Sequence, residues 1–397
     1  MRIHVIGAGI AGLATAIALH REGIAATVSE RHPGTADDVG SWLQVASNGV
    51  AALHAIGLGP VVEAVGIPTA RLRTVAPDGR VSGEMPLGQQ PGRGLATRSV
   101  RRAHLYRLLR TEAERLGITV EHGVQVVGVE ERGDVVGVVT ASGERREADL
   151  VIGADGVRSA VRQQRGAGDE AVPLPDLVNI GGSAATDRLP ADAVPPMGTL
   201  QFRFGRDCFV GSVQGDDGAT WWFANPRLDA VPGGAVAAAA LTNDTWTTVL
   251  TRLAAPDGLP VAALLAASGP VDVWADVATT REVDWGHGRV VLVGDAAHAI
   301  PPSSGQGASL ALEDAVVLAG LVAADPDPAG LVTRFATARG SRVAAVSRQG
   351  AQLDRSKVLG PVGAAVRDRV VLPLAALQAR RTGTTPASWM YDFPPRR

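Results

Sequence analysis

Hydrophobic and polar positions alternate between two periods along this chain. Arg2–Ile6 is a short apolar run, Leu13–Glu22 is rich in helix formers, and Ala25–Ser29 is a second apolar run ending at Glu30. The order predicts strand, glycine turn, helix and parallel strand. A Pro/Gly/Asp loop is expected at Arg31–Gly40, and Ser41–Val45 leads into a helical pattern over Asn48–Ile56 that stops at Gly57. Alternation around Asp78-Gly79 predicts a β-hairpin. Arg98–Gly117 has an amphipathic period with Leu105, Leu108, Leu109 and Leu116 on one side, a core stripe on a long helix. Strands are expected at Ile118–Val120, Gln125–Glu131 and Val135–Thr140, then a buried strand within Ala148–Gly156.

From Ala171 to Thr280 the pattern changes. Strands at Thr199–Phe204, Phe209–Gln214 and Thr220–Ala224 alternate with Gly/Pro/Asp turns, with one helix near Thr245–Ala255. This predicts a β-rich domain inserted into an α/β one. Nucleotide-domain character returns with the apolar strand of Gly288–Gly294, a helix over Ala308–Ala324 and a helical tail from Arg334.

Each glycine of the first turn, Gly7-Ala8-Gly9-Ile10-Ala11-Gly12, has a mechanical task. Gly7 turns the chain sharply, Gly9 admits a pyrophosphate and Gly12 lets helix pack on strand. The helix N-terminus aims its N–H groups at the phosphates, and Glu30 stands where a carboxylate accepts from ribose hydroxyls. That pattern favours FAD or NAD over NADP. Glycines at this spacing also argue against a secretory signal, so the segment is expected to be retained. A second junction, at residues 288–308, brings Asp295 to a strand end before Pro301-Pro302 and Gly305-Gln306-Gly307. Asp295 reads equally as a ligand-binding acid or as a helix N-cap.

Composition narrows the class. With 397 residues, 46% hydrophobic and 20% charged, the chain is an ordinary globular protein of two or three domains. A net charge of −2 offers no general attraction for nucleic acid or anionic lipid. No uninterrupted apolar run reaches the roughly 18 residues that span a bilayer. The single cysteine, Cys208, excludes an internal disulfide and reads as a packed thiol, which makes the cytoplasm the expected location. Lys357 is the only lysine and falls in the C-terminal helical region.

Together, GAGIAG with Glu30, Arg102 in VRRAHLYRLL, Asp155-Gly156 in GADGVRS, and GDAAHAIPPSSGQGASLALEDA resemble the FAD-dependent aromatic-hydroxylase-like (group A) flavoprotein monooxygenases. The resemblance covers most of residues 1–170 and 283–350. It implies a Rossmann-like FAD domain (1–70, 96–170 and 283–345), a β-rich substrate domain (71–95 and 171–282) and C-terminal helices (346–397). It further implies that Gly7, Gly9, Ile10, Ala11, Gly12, Glu30 and Arg31 hold the ADP half of FAD, and Arg102 the pyrophosphate region. Asp155 and Gly156 would support flavin and NAD(P)H docking, Gly294 and Asp295 the ribitol, and Pro302, Gly305, Gly307 and Ala308 the flavin end. Ala299 departs from the family's usual proline, and His298 is expected to be structural. No catalytic side chain or metal ligand is assigned.

The implied activity uses NAD(P)H and O2 to hydroxylate or epoxidise a small aromatic or polyketide-like compound. The alternative is a reductase on the same scaffold. A flavin halogenase is disfavoured by the position of Lys357. Phe202, Phe204, Trp221, Trp222 and Phe223 are candidates for a dry wall, although alternation puts Trp222 on the face opposite Trp221 and Phe223. No nucleic-acid or membrane partner is expected, and the enzyme would be a monomer or homodimer.

Overall fold

The computed structural model describes residues 1–35, 41–88, 94–164, 171–173, 178–231, 233–234, 241–274, 278–280, 282–357 and 359–393. Residues 36–40 of the expected Arg31–Gly40 loop lie outside the described residues. So do 89–93, 165–170, 174–177, 235–240, 275–277 and 394–397, which belong to the expected domain ranges.

Ile3–Ile6 forms the middle of a six-stranded sheet. Leu150–Gly153 and Ala26–Glu30 flank it in parallel, with Val290–Leu292 and Val120–His122 beyond them and Gly286–His287 as an antiparallel edge. Both faces of the central strands are covered, which explains their continuous apolar runs. Val5, Leu150, Ile152 and Val291 face helices Ile10–Arg21 and Gly307–Ala324, whereas Ile6, Val151, Val290 and Leu292 face an antiparallel meander of Val126–Arg132, Val135–Thr140 and Arg145–Ala148. The result is three layers.

A second sheet has seven strands, in the order Asp272–Trp274, Asn179–Ala185, Ala219–Pro226, Cys208–Gln214, Thr199–Phe204, Arg71–Val75 and Val81–Pro86. The hairpin around Asp78-Gly79 thus joins strands more than a hundred residues later, through parallel pairing of Arg71–Val75 with Thr199–Phe204. Helices Asn243–Ala254 and Val261–Ala267 cover one face of this sheet, burying Ile180, Cys208, Val210, Trp222 and Ala224. Burial pushes the Cys208 thiol up to about 12, as suits an inert packed cysteine.

The helix expected over Arg98–Gly117 begins later. Arg98–Arg101 is a strand paired with Trp42–Val45 and Ile67–Pro68, and the helix is Arg102–Arg115. Tertiary pairing overrides the helical period because Ser99 and Val100, both fully buried, find hydrogen-bonding strand neighbours. The Arg102–Arg115 helix does bury Leu105, Leu108 and Leu109. The tail helix runs from Leu331 to Lys357 without a break, so the division expected between 345 and 346 falls inside it. Among the described residues one helix, Gly307–Ala324, is long and apolar enough to cross a membrane. It carries the adjacent acids Glu313 and Asp314, both fully buried against protein, and packs at the centre of the core.

Candidate active site

The first glycine turn leaves the sheet at its carboxyl edge. Gly7, at φ +101°, donates its N–H to Ser29 O at 2.8 Å. A Cβ there would stand 2.5 Å from Ala154 O, and a Cβ on Gly12 would stand 1.8 Å from Gly7 O. Gly9 differs, because a Cβ on it would meet nothing within 4 Å. The packing therefore closes around Gly7 and Gly12 and leaves room at Gly9, the position where a pyrophosphate approaches. Ile10 and Ala11 open the helix behind it. Glu30 is anchored beside this turn, accepting from Ala8 N at 2.8 Å and from His32 N at 2.9 Å. Arg31 is exposed and donates from Nε to His32 Nε2 at 3.3 Å.

The second junction converges on the first. A Cβ on Gly294 would lie 2.9 Å from Ala11 Cβ, and one on Gly307 would lie 4.0 Å from Asp295 Oδ1. Gly294 occupies the cap of the short helix Asp295–His298 and no side-chain cap bond forms there, which removes the capping alternative for Asp295. The Asp295 side chain has open surface although protein surrounds it, so it faces a cleft. That enclosure raises its pKa, against the pull of His298, Arg102 and Arg162. Arg102, exposed at the start of its helix, is thus close enough for its charge to be felt at Asp295. Ala308 follows Gly307 in the first turn of the central helix, and Pro302 and Gly305 bound the short 3₁₀ turn before it.

Asp155 has a local task. Its Oδ2 accepts from Ala160 N at 2.7 Å and Val161 N at 3.3 Å, the first N–H groups of helix Ala160–Gln163, whose N-cap is Ser159. Burial raises its pKa, opposed by hydrogen bonds from Ser159 and the helix backbone. Gly156 turns at φ +82° into open space.

His298 was expected to be structural, but the other residues that hold this edge together were missed by sequence reasoning. Arg162, 1% exposed, donates to Ala296 O at 2.7 Å and to Val157 O, tying the Asp155 segment to the Asp295 turn. His298 Nε2 meets Asp314 Oδ2 at 2.6 Å, and Arg339 Nε donates to Asp314 Oδ1 at 2.7 Å. Burial opposes the Asp314 charge, but His298 and Arg339 outweigh it and hold its carboxyl below the usual range. Arg342 donates twice to Glu313, and Asn48 Nδ2 bridges Glu313 and Gln306, at 2.8 Å each. The available signal was the pair Glu313-Asp314 inside an apolar helix, since buried acids require partners.

The other face of the seven-stranded sheet is partly covered by the helix Leu372–Thr382 and by Trp42. Trp221 and Phe223 share it with Phe202, Phe204 and Phe209, while Trp222 packs in the opposite core. Trp222 is therefore not part of the wall for which it was a candidate, because successive strand residues alternate. Ring centroids are 5.0 Å apart for Phe202–Phe209 and 5.8 Å for both Phe209–Phe223 and Trp42–Phe223. Trp42 links this face to the Gly305 loop: two residues on, Gln44 Oε1 lies 3.6 Å from where a Gly305 Cβ would be. Among the described residues, Gln44 Nε2 and Gln306 Nε2 are buried without hydrogen-bond partners, donors suited to a polar ligand. Lys357, despite its place in the C-terminal helical region, also reaches the wall, with Nζ 4.7 Å from the Phe209 ring centroid.

The sequence of residues 1–347 matches the family model described as FAD binding domain. The chain belongs to this family. It is 35% identical over 365 residues to a 3-amino-4-hydroxybenzoate 2-monooxygenase of Streptomyces platensis, covering 88% of this chain and 86% of that one. Kynurenine 3-monooxygenase of Salinispora tropica is 31% identical over 351 residues, covering 85% and 76%. The structure of Klebsiella pneumoniae HpxO complexed with FAD and uric acid superposes with a TM-score of 0.84 at 26% identity, covering 98% and 96%. The protein is accordingly an FAD-dependent monooxygenase, an oxidoreductase whose family typically uses NAD(P)H and O2.

The monooxygenase has a site that fits the cofactor on local grounds. The space at Gly9, the anchored Glu30, the cleft-facing Asp295 and the partnerless amides of Gln44 and Gln306 are what a dinucleotide with a polar ring system requires.

Proposed function

We propose that this enzyme adds one oxygen atom from O2 to a small aromatic or polyketide-like compound of secondary metabolism. The observation that carries this reading is the aromatic face of Phe202, Phe209 and Phe223, joined to the Asp295-side loop through Trp42 and Gln44. The relatives' printed substrates, 3-amino-4-hydroxybenzoate and kynurenine, support a ring that bears polar substituents. Bound FAD supplies the electron transfer and oxygen activation that amino-acid side chains lack.

The chain's own residues bind, orient and exclude water. Gly7 would set the turn, and Gly9, Ile10, Ala11 and Gly12 would border the pyrophosphate at the helix N-terminus, with Arg102 meeting its charge. Glu30, beside Arg31, would accept from ribose hydroxyls and Asp295 from the ribitol, with Gly294 allowing its turn. Asp155 and Gly156 would shape the opening toward NAD(P)H. Pro302, Gly305, Gly307 and Ala308 would border the ring, where the N-terminus of the Gly307–Ala324 helix favours negative charge. Phe202, Phe223 and Trp42 would keep water from the reacting atoms. With one buried thiol and NAD(P)H as donor, the enzyme would work in the cytoplasm, as a monomer or homodimer.

Turnover under ¹⁸O-labelled dioxygen tests the reaction. Product gaining one labelled oxygen is expected, whereas product gaining two hydrogens and no label, with or without air, would replace this reading by a reductase. Asp295→Ala and Arg102→Ala should each weaken FAD binding roughly ten- to hundredfold, the value of a lost charge-assisted contact. Unchanged FAD affinity in both variants would remove those assignments.

A further inference from the structure

Among the described residues three cations border the aromatic wall, each paired with a carboxylate at its own distance. Arg101 stacks on Trp221, 5.0 Å from its centroid, and pairs with Asp217 at 2.7 Å. Arg367 lies 3.9 Å from the Phe204 centroid and pairs with Asp368 at 2.7 Å. Lys357 lies over Phe209, but its carboxylate, Asp354 Oδ1, stands 3.6 Å away and accepts a hydrogen bond from Ser303 Oγ. One ammonium N–H goes to Asn225 Oδ1 at 2.9 Å. The side chain is only 9% exposed. Asp354 is thus the ion-pair partner of Lys357, held at a longer distance than either arginine's carboxylate.

Position and residue type add to this. Ser303 belongs to the loop that follows Asp295, while Phe209 and Asn225 belong to the wall, so Nζ sits where the flavin-side loop meets the substrate-side sheet. The chain has 38 lysine and arginine residues and uses lysine only here. An ammonium, unlike a guanidinium, is a compact point charge with three rotatable donors that accepts a single oxygen from any of several directions.

We propose that Lys357 selects the substrate by receiving an aryl oxyanion, a phenolate or carboxylate, on a ring seated against Phe202 and Phe223, the half-buried rings beside Phe209. The inference rests on the monooxygenase reading for the identity of the wall. Burial pushes the Lys357 amine down to about 8, with Asp354 opposing, so its charge is held at a cost that an incoming anion would relieve. The charged group paired with Nζ is Asp354 on its own helix, and the following segment carries the Arg367–Asp368 pair, whose Arg367 donates to Ser356 O at 2.8 Å. The sheet contributes Asn225 and Phe209 and the loop Ser303, none of which changes charge near neutral pH.

The test compares the FAD-loaded wild type with Lys357→Met and Lys357→Arg. Flavin absorbance changes are titrated with benzoate, 4-hydroxybenzoate and 3-amino-4-hydroxybenzoate, and with the corresponding benzamides. Wild type should bind at least one acid more tightly than its amide by roughly ten- to hundredfold. Lys357→Met should lose that preference while keeping FAD content and a cooperative melt no lower than that of wild type, and Lys357→Arg should restore part of the preference. The preference should hold at pH 7 and fade above about pH 8, where the amine loses its proton. Equal acid and amide affinities in wild type, an acid preference that survives in Lys357→Met, or no response to any acid would overturn the proposal. A normal preference without labelled oxygen in the product would count against the monooxygenase reading alone.

Discussion

Trp221, Trp222 and Phe223 are consecutive, yet they serve two different surfaces. Trp222 enters the outer face of the seven-stranded sheet, where it is fully buried among Ile180, Ala224 and Trp246 and donates from Nε1 to Ser268 Oγ at 2.9 Å. Helices Asn243–Ala254 and Val261–Ala267 close that face. The inner face keeps Phe202 and Phe223 only half-buried and rims them with cations. One sheet thus has a side that stores stability and a side that leaves apolar surface available to a ligand.

The largest contrast is expected at Trp222. Trp222→Ala removes a large side chain and a buried hydrogen bond, and should cost about 3–5 kcal/mol in denaturant unfolding. A loss below about 1 kcal/mol would mean that the outer face is not the stabilising core. Next comes the pH dependence of Lys357. Its folded pKa, about 8, lies below the ordinary 10.5, so between those values the unfolded chain holds a proton that the folded chain has released. Stability contributed by this residue therefore rises with pH across that window, by at most about 1.4 kcal/mol per pH unit. Urea melts of wild type and Lys357→Met at pH 7.5, 9 and 10 should show the wild type gaining on the variant, and parallel curves would refute the burial of a charged amine.

Phe223→Ala should cost less, roughly 1–2 kcal/mol, because the ring is only half-buried. Its signature lies in function: hydrogen peroxide released per NAD(P)H should rise as labelled oxygen in the product falls. If coupling stays intact, the inner face does not shield the reaction. The smallest effect belongs to the rim, where Arg101 and Asp217 are both partly exposed. Asp217→Asn should change unfolding free energy by less than about 1 kcal/mol. A larger loss would show that the rim is part of the core rather than the border of a site.

The sequence by itself determined the elements whose signals are local. The GAGIAG turn was legible because each glycine answers to a short-range steric demand, and the structure places Gly7 and Gly12 against backbone with no room for a Cβ. The separation of Trp222 from Trp221 and Phe223 was legible because strand side chains alternate. Burial of Leu105, Leu108 and Leu109 followed in the same way from helical period.

Tertiary structure alone decided what depends on partners far away in the chain. Arg98–Arg101 has a helical pattern but becomes a strand because Trp42–Val45 offers it a ladder. The buried acids Glu313 and Asp314 are satisfied by Asn48, His298, Arg339 and Arg342, none of them identifiable as partners from local pattern. Lys357 shows the limit most plainly. At the end of a helix it carries no local mark of function, and only the packing of that helix on a sheet 132 residues earlier brings its amine to Asn225 and Phe209. Backbone preference acts over a few residues, whereas the environment of a charge is set by everything that folding brings within a few ångströms of it.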